Sequence, residues 1–304
     1  MNLYKINKEY SLFLFFFNII ILFTISDVLE TKEIIVPYQT IICFFLISII
    51  GVSHGALDHI KGYNLMKIYK IQNKYFFYPI YIFCCSLVIF VWIIFPLITL
   101  ILFLIVASYH FGKEDSSVGR VIEKNFISIL YLLKGLLVVI APLLFHPEET
   151  LQIFKILNIN LLPIDEIFLL TLIIISFIAN GIIMNWSKNG GFFLADWMNI
   201  LMLNVFFSPL VAFTIYFCFL HSVRHSFGLI YEINKNNFKT GLINFLKKAL
   251  SLTLITTILF LASIYILTNY YVLDDAILKV IFIGLASLTF PHILLEYLIE
   301  KNEK

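Results

Sequence analysis

The residues with most capacity for chemistry in this sequence are its histidines. There are seven in 304 residues, and six of them, His54, His59, His110, His221, His225 and His292, sit within or at the edge of long apolar runs. Imidazole ligates metals, moves protons or hydrogen-bonds between helices. An ionisable group inside a membrane-length apolar segment is costly unless it pairs, faces a cavity or binds a ligand. One such histidine has an ordinary reading, a hydrogen bond at the interface; six at one depth favour a shared metal site. His146, beside Pro147, falls at the opposite side and is read as an interfacial residue without a role.

Spacing sharpens this. His221 and His225 are four residues apart, so their rings project from one helix face and can ligate one ion from neighbouring turns. His54 and Asp58 have the same separation. A carboxylate there can accept the N–H of a metal-bound imidazole, which fixes its tautomer and strengthens it as a donor. His59 lies about 140° round the helix from His54 and does not serve the same ion directly. A nitrogen-only donor set fits Fe(II), Zn(II) or copper. The sequence has no His-Glu-x-x-His motif of a zinc hydrolase, no Cys-x-x-Cys-His haem attachment and no His-x-x-His-His box. That leaves mononuclear iron in front. The alternatives are a haem- or quinone-linked electron carrier with two axial histidines, or another histidine-iron membrane oxidase.

The elements that must position these residues are membrane helices. The chain is 61% hydrophobic and 13% charged, with a mean hydropathy of +0.97, outside the range of a soluble domain. The expected fold is all-α: one polytopic transmembrane domain over 1–304. A net charge of +2 from scattered lysines excludes a nucleic-acid partner. The four cysteines lie in apolar runs and suggest neither disulfides nor zinc. The first apolar run, after Lys5 and Lys8, lacks a small-residue cleavage site and reads as a retained span.

Apolar length predicts ten spans, near 11–26, 38–56, 75–94, 97–112, 126–145, 166–184, 192–208, 210–231, 249–268 and 276–299. The two short breaks, at Phe95-Pro96 and Ser208-Pro209, compete with kinked single helices. With the N-terminus inside, sixteen of the 21 Lys and Arg fall in inner segments and three in outer ones; Lys134 and Arg224 lie within spans. By the positive-inside rule both termini are cytoplasmic, in the inner (plasma) membrane. The histidine cluster then lies towards the cytoplasmic side, which argues against a transporter with a polar path across the bilayer.

Four motifs occur in order: "GVSHGALDHI" at 51–60, "YHFGKED" at 109–115, "FLHSVRHSFGL" at 219–229 and "PHILLEY" at 291–297. Together they resemble the Brp/Blh family of membrane β-carotene 15,15'-dioxygenases, through nearly the whole chain. The resemblance implies a non-haem Fe(II) enzyme that uses O2 to split the central double bond of β-carotene into two all-trans-retinal, feeding a retinal-binding rhodopsin. It implies iron ligands at His54, His110, His221 and His225. Four imidazoles leave up to two positions on a six-coordinate ion for O2 and solvent.

Supporting roles are then expected for Asp58 on His54, and for Glu114 or Asp115 on His110 unless these are solvated at the loop edge. His59 is a possible neighbour of the ligands. His292 either orients a ligand and lines the pocket, or bonds a backbone carbonyl freed by Pro291. Arg224, off the ligand face, is expected to snorkel or pair with an acidic loop residue. The substrate offers no polar handle, so the aromatic content of 17% is read as compatible with an apolar tunnel.

Overall fold

A computed structural model describes residues 3–29, 38–117, 119, 121–122, 126–161 and 163–303; the side chains of residues 21–29, 54 and 303 are not among those described. The described chain is helical almost throughout. Its elements are α1 (Leu3–Leu29), α2 (Gln39–Ile68), α3 (Lys74–Ile94), α4 (Pro96–Ser117), α5 (Ile127–Phe145), α6 (Pro147–Ile156), α7 (Glu166–Asn185), α8 (Phe193–Phe206), α9 (209–233), α10 (Phe238–Leu267) and α11 (Leu273–Glu303).

Seven of these, α2, α3, α4, α5, α7, α10 and α11, are long and apolar enough to cross a membrane. The chain is therefore an all-α polytopic membrane protein, but the ten predicted spans are not borne out. The segment at 11–26 runs into side chains that are not described. That at 192–208 yields only the 14 residues of α8, about 21 Å against the roughly 30 Å hydrocarbon core. That at 210–231 is one helix that passes through a π segment, Tyr216–Ser222, and, with His221, Arg224 and His225 inside it, it is not among the helices apolar enough to cross. At the two short breaks the chain does turn. Phe95 (φ −130°, ψ 63°) and Ser208 (ψ 154°) leave the helical region, as a residue before proline is pushed to do.

Large apolar side chains cover the outside of the bundle. On α3 Ile82, Phe83, Phe90 and Ile93 are exposed, and on α10 Leu250, Leu254, Ile258 and Leu259 are too. Exposure on this scale suits lipid as the surrounding solvent and would be an aggregation hazard in water. By contrast, α11 is the most buried of the seven candidate spans. It packs against α2, α3, α4, α6 and α10, so groups on its inner face meet groups from several helices at once.

Two local features bring the histidine-bearing segments together. Where α4 and α5 cross, Gly112 and Gly135 let their backbones touch: a Cβ on Gly112 would stand 1.8 Å from the Tyr131 carbonyl oxygen. Small residues at such crossings are the usual means of close helix approach in membranes. The second feature is a pair of π segments, Ile47–Gly51 in α2 and Tyr216–Ser222 in α9, which pack on each other. Ser222 Oγ donates to the Gly51 carbonyl at 3.2 Å, and a Cβ on Gly51 would lie 2.5 Å from the Phe217 ring. Inserted π turns shift the angular position of everything that follows, and they recur at functional sites.

Candidate functional site: a buried histidine–carboxylate cluster

Three helices bring four imidazoles together. His110 comes from the C-terminal half of α4, His221 and His225 from α9, and His292 from α11. All four are at least nine-tenths buried. The His110 ring centroid lies 5.3 Å from that of His221 and 5.4 Å from that of His292, and His225 lies 5.9 Å from His292. His54 stands in the 3-10 turn Val52–Leu57 of α2, and its side chain is outside the described set.

Carboxylates hold three of these rings through one type of contact. His225 Nδ1 is 2.7 Å from Glu114 Oε1, His221 Nδ1 is 3.1 Å from Asp115 Oδ1, and His292 Nδ1 is 2.9 Å from both oxygens of Asp58. An ionised carboxylate only accepts, so each contact places the imidazole proton on Nδ1 and the lone pair on Nε2. The acceptors are anchored in turn. Tyr216 donates to Asp115 Oδ2 at 2.8 Å, and Tyr81 donates to Asp58 Oδ2 at 2.9 Å. Phe111 and Phe217 pack on the His221 ring, at 4.8 and 5.9 Å between centroids, and close its flank with hydrocarbon.

Several expectations change in this geometry. Asp58 meets His292 and Tyr81 among the described side chains; its expected pairing with His54 falls on a side chain outside the described set. Glu114 serves His225 rather than His110, and Asp115 serves His221, since the end of α4 faces α9. His292 takes a carboxylate instead of a backbone carbonyl. His59 is not in the cluster: its Nδ1 pairs with the Ala56 carbonyl at 2.9 Å and its ring abuts Tyr63 edge-on. His146 is also elsewhere, 3.8 Å from Glu149 at the start of α6.

Arg224 does not snorkel. It is 2% exposed and donates to Asp196 Oδ1 at 2.8 Å, to Ser11 Oγ at 2.7 Å and to the Asp115 carbonyl. It thus ties α1, α4, α8 and α9 together one layer behind His221. Lys134 is buried beside this layer, donating to Ser116 Oγ at 2.8 Å with Nζ 4.0 Å from the centre of the Phe193 ring.

Sequence reasoning also passed over Glu296. It lies one turn beyond His292 on α11, with Oε2 3.8 Å from His110 Nδ1 and Oε1 3.0 Å from Lys61 Nζ. The signal was present in "PHILLEY", where His292 and Glu296 have the four-residue spacing that places two side chains on one helix face.

The donor set suits a divalent cation. With neutral imidazoles, five carboxylates around the cluster, Asp58, Glu114, Asp115, Asp196 and Glu296, face three cations among the described residues, Lys61, Lys134 and Arg224. Asp58, Asp115 and Asp196 are buried, while the Glu114 and Glu296 side chains stay 23% and 21% exposed; the excess of two negative charges is costly where it is taken out of water, and a dication would neutralise it. Two groups of donor atoms, His110, His292 and Glu296, and Glu114, His225 and Glu296, each lie within 4.8 Å of one another.

Fold and cluster together define a polytopic helical membrane protein with a buried histidine–carboxylate centre. A family model described as "Beta-carotene 15,15'-dioxygenase" matches residues 45–300. A protein of that name from uncultured marine bacterium 66A03 is 27% identical over 262 residues, which covers 82% of this chain and 90% of the relative. No solved structure matches. The chain belongs to the β-carotene 15,15'-dioxygenase family, and it is a carotenoid-cleaving dioxygenase of the Brp/Blh type.

Proposed function

We propose that the protein cleaves the central 15,15' double bond of β-carotene with O2 to give two all-trans-retinal, at a non-haem Fe(II) held by His54, His110, His221 and His225. The observation that carries this reading is the Nδ1–carboxylate pairing of His221 and His225, which turns Nε2 into the donor on two neighbouring imidazoles. When bound, Fe(II) would supply a redox-active Lewis acid able to engage O2.

The chain's own residues do the rest. Asp115 and Glu114 hold two imidazoles in one tautomer, Tyr216 and Arg224 hold Asp115, and Phe111 and Phe217 keep water from one side of the cluster. Phe213 stacks on Phe217 at 5.4 Å and Phe282 lies 5.9 Å from Phe213. This aromatic row leads away from His221 and suits contact with a hydrocarbon that has no polar group to bind.

The bias of sixteen inner to three outer Lys and Arg supports cytoplasmic termini in the plasma membrane. The site then lies nearer the cytoplasmic face, and the retinal would supply a retinal-binding rhodopsin. The chemistry is tested by substituting each proposed ligand. His54→Ala, His110→Ala, His221→Ala and His225→Ala should each abolish retinal formation with normal insertion, and near-normal turnover in two or more would defeat the four-histidine centre.

A further inference from the structure

We infer that Glu296 is a carboxylate ligand of the same metal, so that the centre is mixed histidine–carboxylate rather than all-histidine. The inference rests on the iron reading above and adds a donor to it.

Three carboxylates of the cluster, Asp58, Glu114 and Asp115, lie 2.7 to 3.1 Å from an imidazole Nδ1, a hydrogen-bond separation. Glu296 is different. Its Oε2 stands 3.8 Å from His110 Nδ1 and its Oε1 3.7 Å from His292 Nε2, too far for a hydrogen bond to either ring. Two donors about 2.1 Å from one ion stand about 3 to 3.5 Å apart, close to these spacings. Glu296 is also the member common to both groups of converging donor atoms.

Its two oxygens divide the work. Oε1 accepts from Lys61 Nζ at 3.0 Å on the His292 side, while Oε2 faces His110 and is the oxygen proposed to bind the metal. A ligating carboxylate commonly has its second oxygen hydrogen-bonded in this way, so Lys61 orients the ligand rather than competing for it. Four imidazoles and one carboxylate occupy five positions of a six-coordinate ion, leaving one for O2. The anionic donor also lowers the charge at the centre, which favours the ferric over the ferrous state.

The test uses the full-length protein in lipid nanodiscs, loaded anaerobically with Fe(II). Iron affinity, reduction potential and the X-ray absorption edge are read for wild type, Glu296→Gln and Lys61→Met. Glu296→Gln should weaken iron by more than about 100-fold, beyond the ~10–100-fold cost of losing an outer hydrogen-bond partner. It should also raise the potential and alter the pre-edge, whereas Lys61→Met should keep the wild-type edge. Wild-type affinity and edge in Glu296→Gln, or identical losses in both variants, would overturn the inference alone. A wild type that takes up no iron would overturn the iron reading and this one together.

Discussion

At the scale of single residues, His221, His225 and His292 each work through the carboxylate behind them. Asp115 is the clearest case, since it accepts from both His221 and Tyr216 while Arg224 holds its backbone carbonyl. Asp115→Asn should therefore insert normally but weaken metal binding by about 10- to 100-fold, read by metal titration. Arg224 has a structural consequence of its own. Arg224→Met would leave Asp196 charged and buried, a loss of about 3–5 kcal/mol in stability; Arg224→Met with Asp196→Asn should recover much of it in thermal unfolding. His146→Ala, remote from the cluster, should keep full retinal formation. Types and spacing exposed His110, His221, His225 and Asp58 as a group in the sequence, because buried ionisable residues in apolar runs need partners. Which carboxylate met which ring was not legible. Those pairs join residues more than a hundred positions apart, as in His221 with Asp115, and depend on how α4 faces α9.

At the scale of elements, the arrangement depends on helices that approach closely or depart from α geometry. Gly112→Ala would place a methyl group against the Tyr131 carbonyl and force α4 from α5, shifting His110. Overpacking of this kind costs about 1–3 kcal/mol, and here it should also reduce iron occupancy, measured against thermal unfolding of the same preparation. The helices themselves were partly readable: proline breaks locate the boundaries at Pro96 and Pro209, whereas α2 and α10 run well beyond the predicted 38–56 and 249–268 and α6 was not foreseen. The π segments at Ile47–Gly51 and Tyr216–Ser222 were not. A single extra residue in a helical turn leaves the apolar pattern unchanged, so the face on which His221 emerges follows from packing against Gly51, not from periodicity.

At the scale of the whole molecule, a ring of lipid-exposed helices encloses a charged interior built around α11. Gathering five carboxylates and three cations, with Asp58, Asp115, Asp196, Lys134 and Arg224 buried, makes structural sense when the imbalance is met by a bound dication, so iron should raise the unfolding temperature of the full chain and chelation should lower it. The count of ten crossings went beyond the seven helices long and apolar enough to span, because α8 is short and α9 carries His221, Arg224 and His225. The central claim is that this centre cuts β-carotene in its middle. It is tested most directly by expressing the chain in cells that accumulate β-carotene and resolving the products by chromatography, with and without iron depletion. The expected result is loss of colour with two all-trans-retinal formed per β-carotene consumed, abolished by iron depletion and restored by Fe(II). Unchanged β-carotene with correctly inserted protein, or cleavage into two unequal fragments, would contradict it.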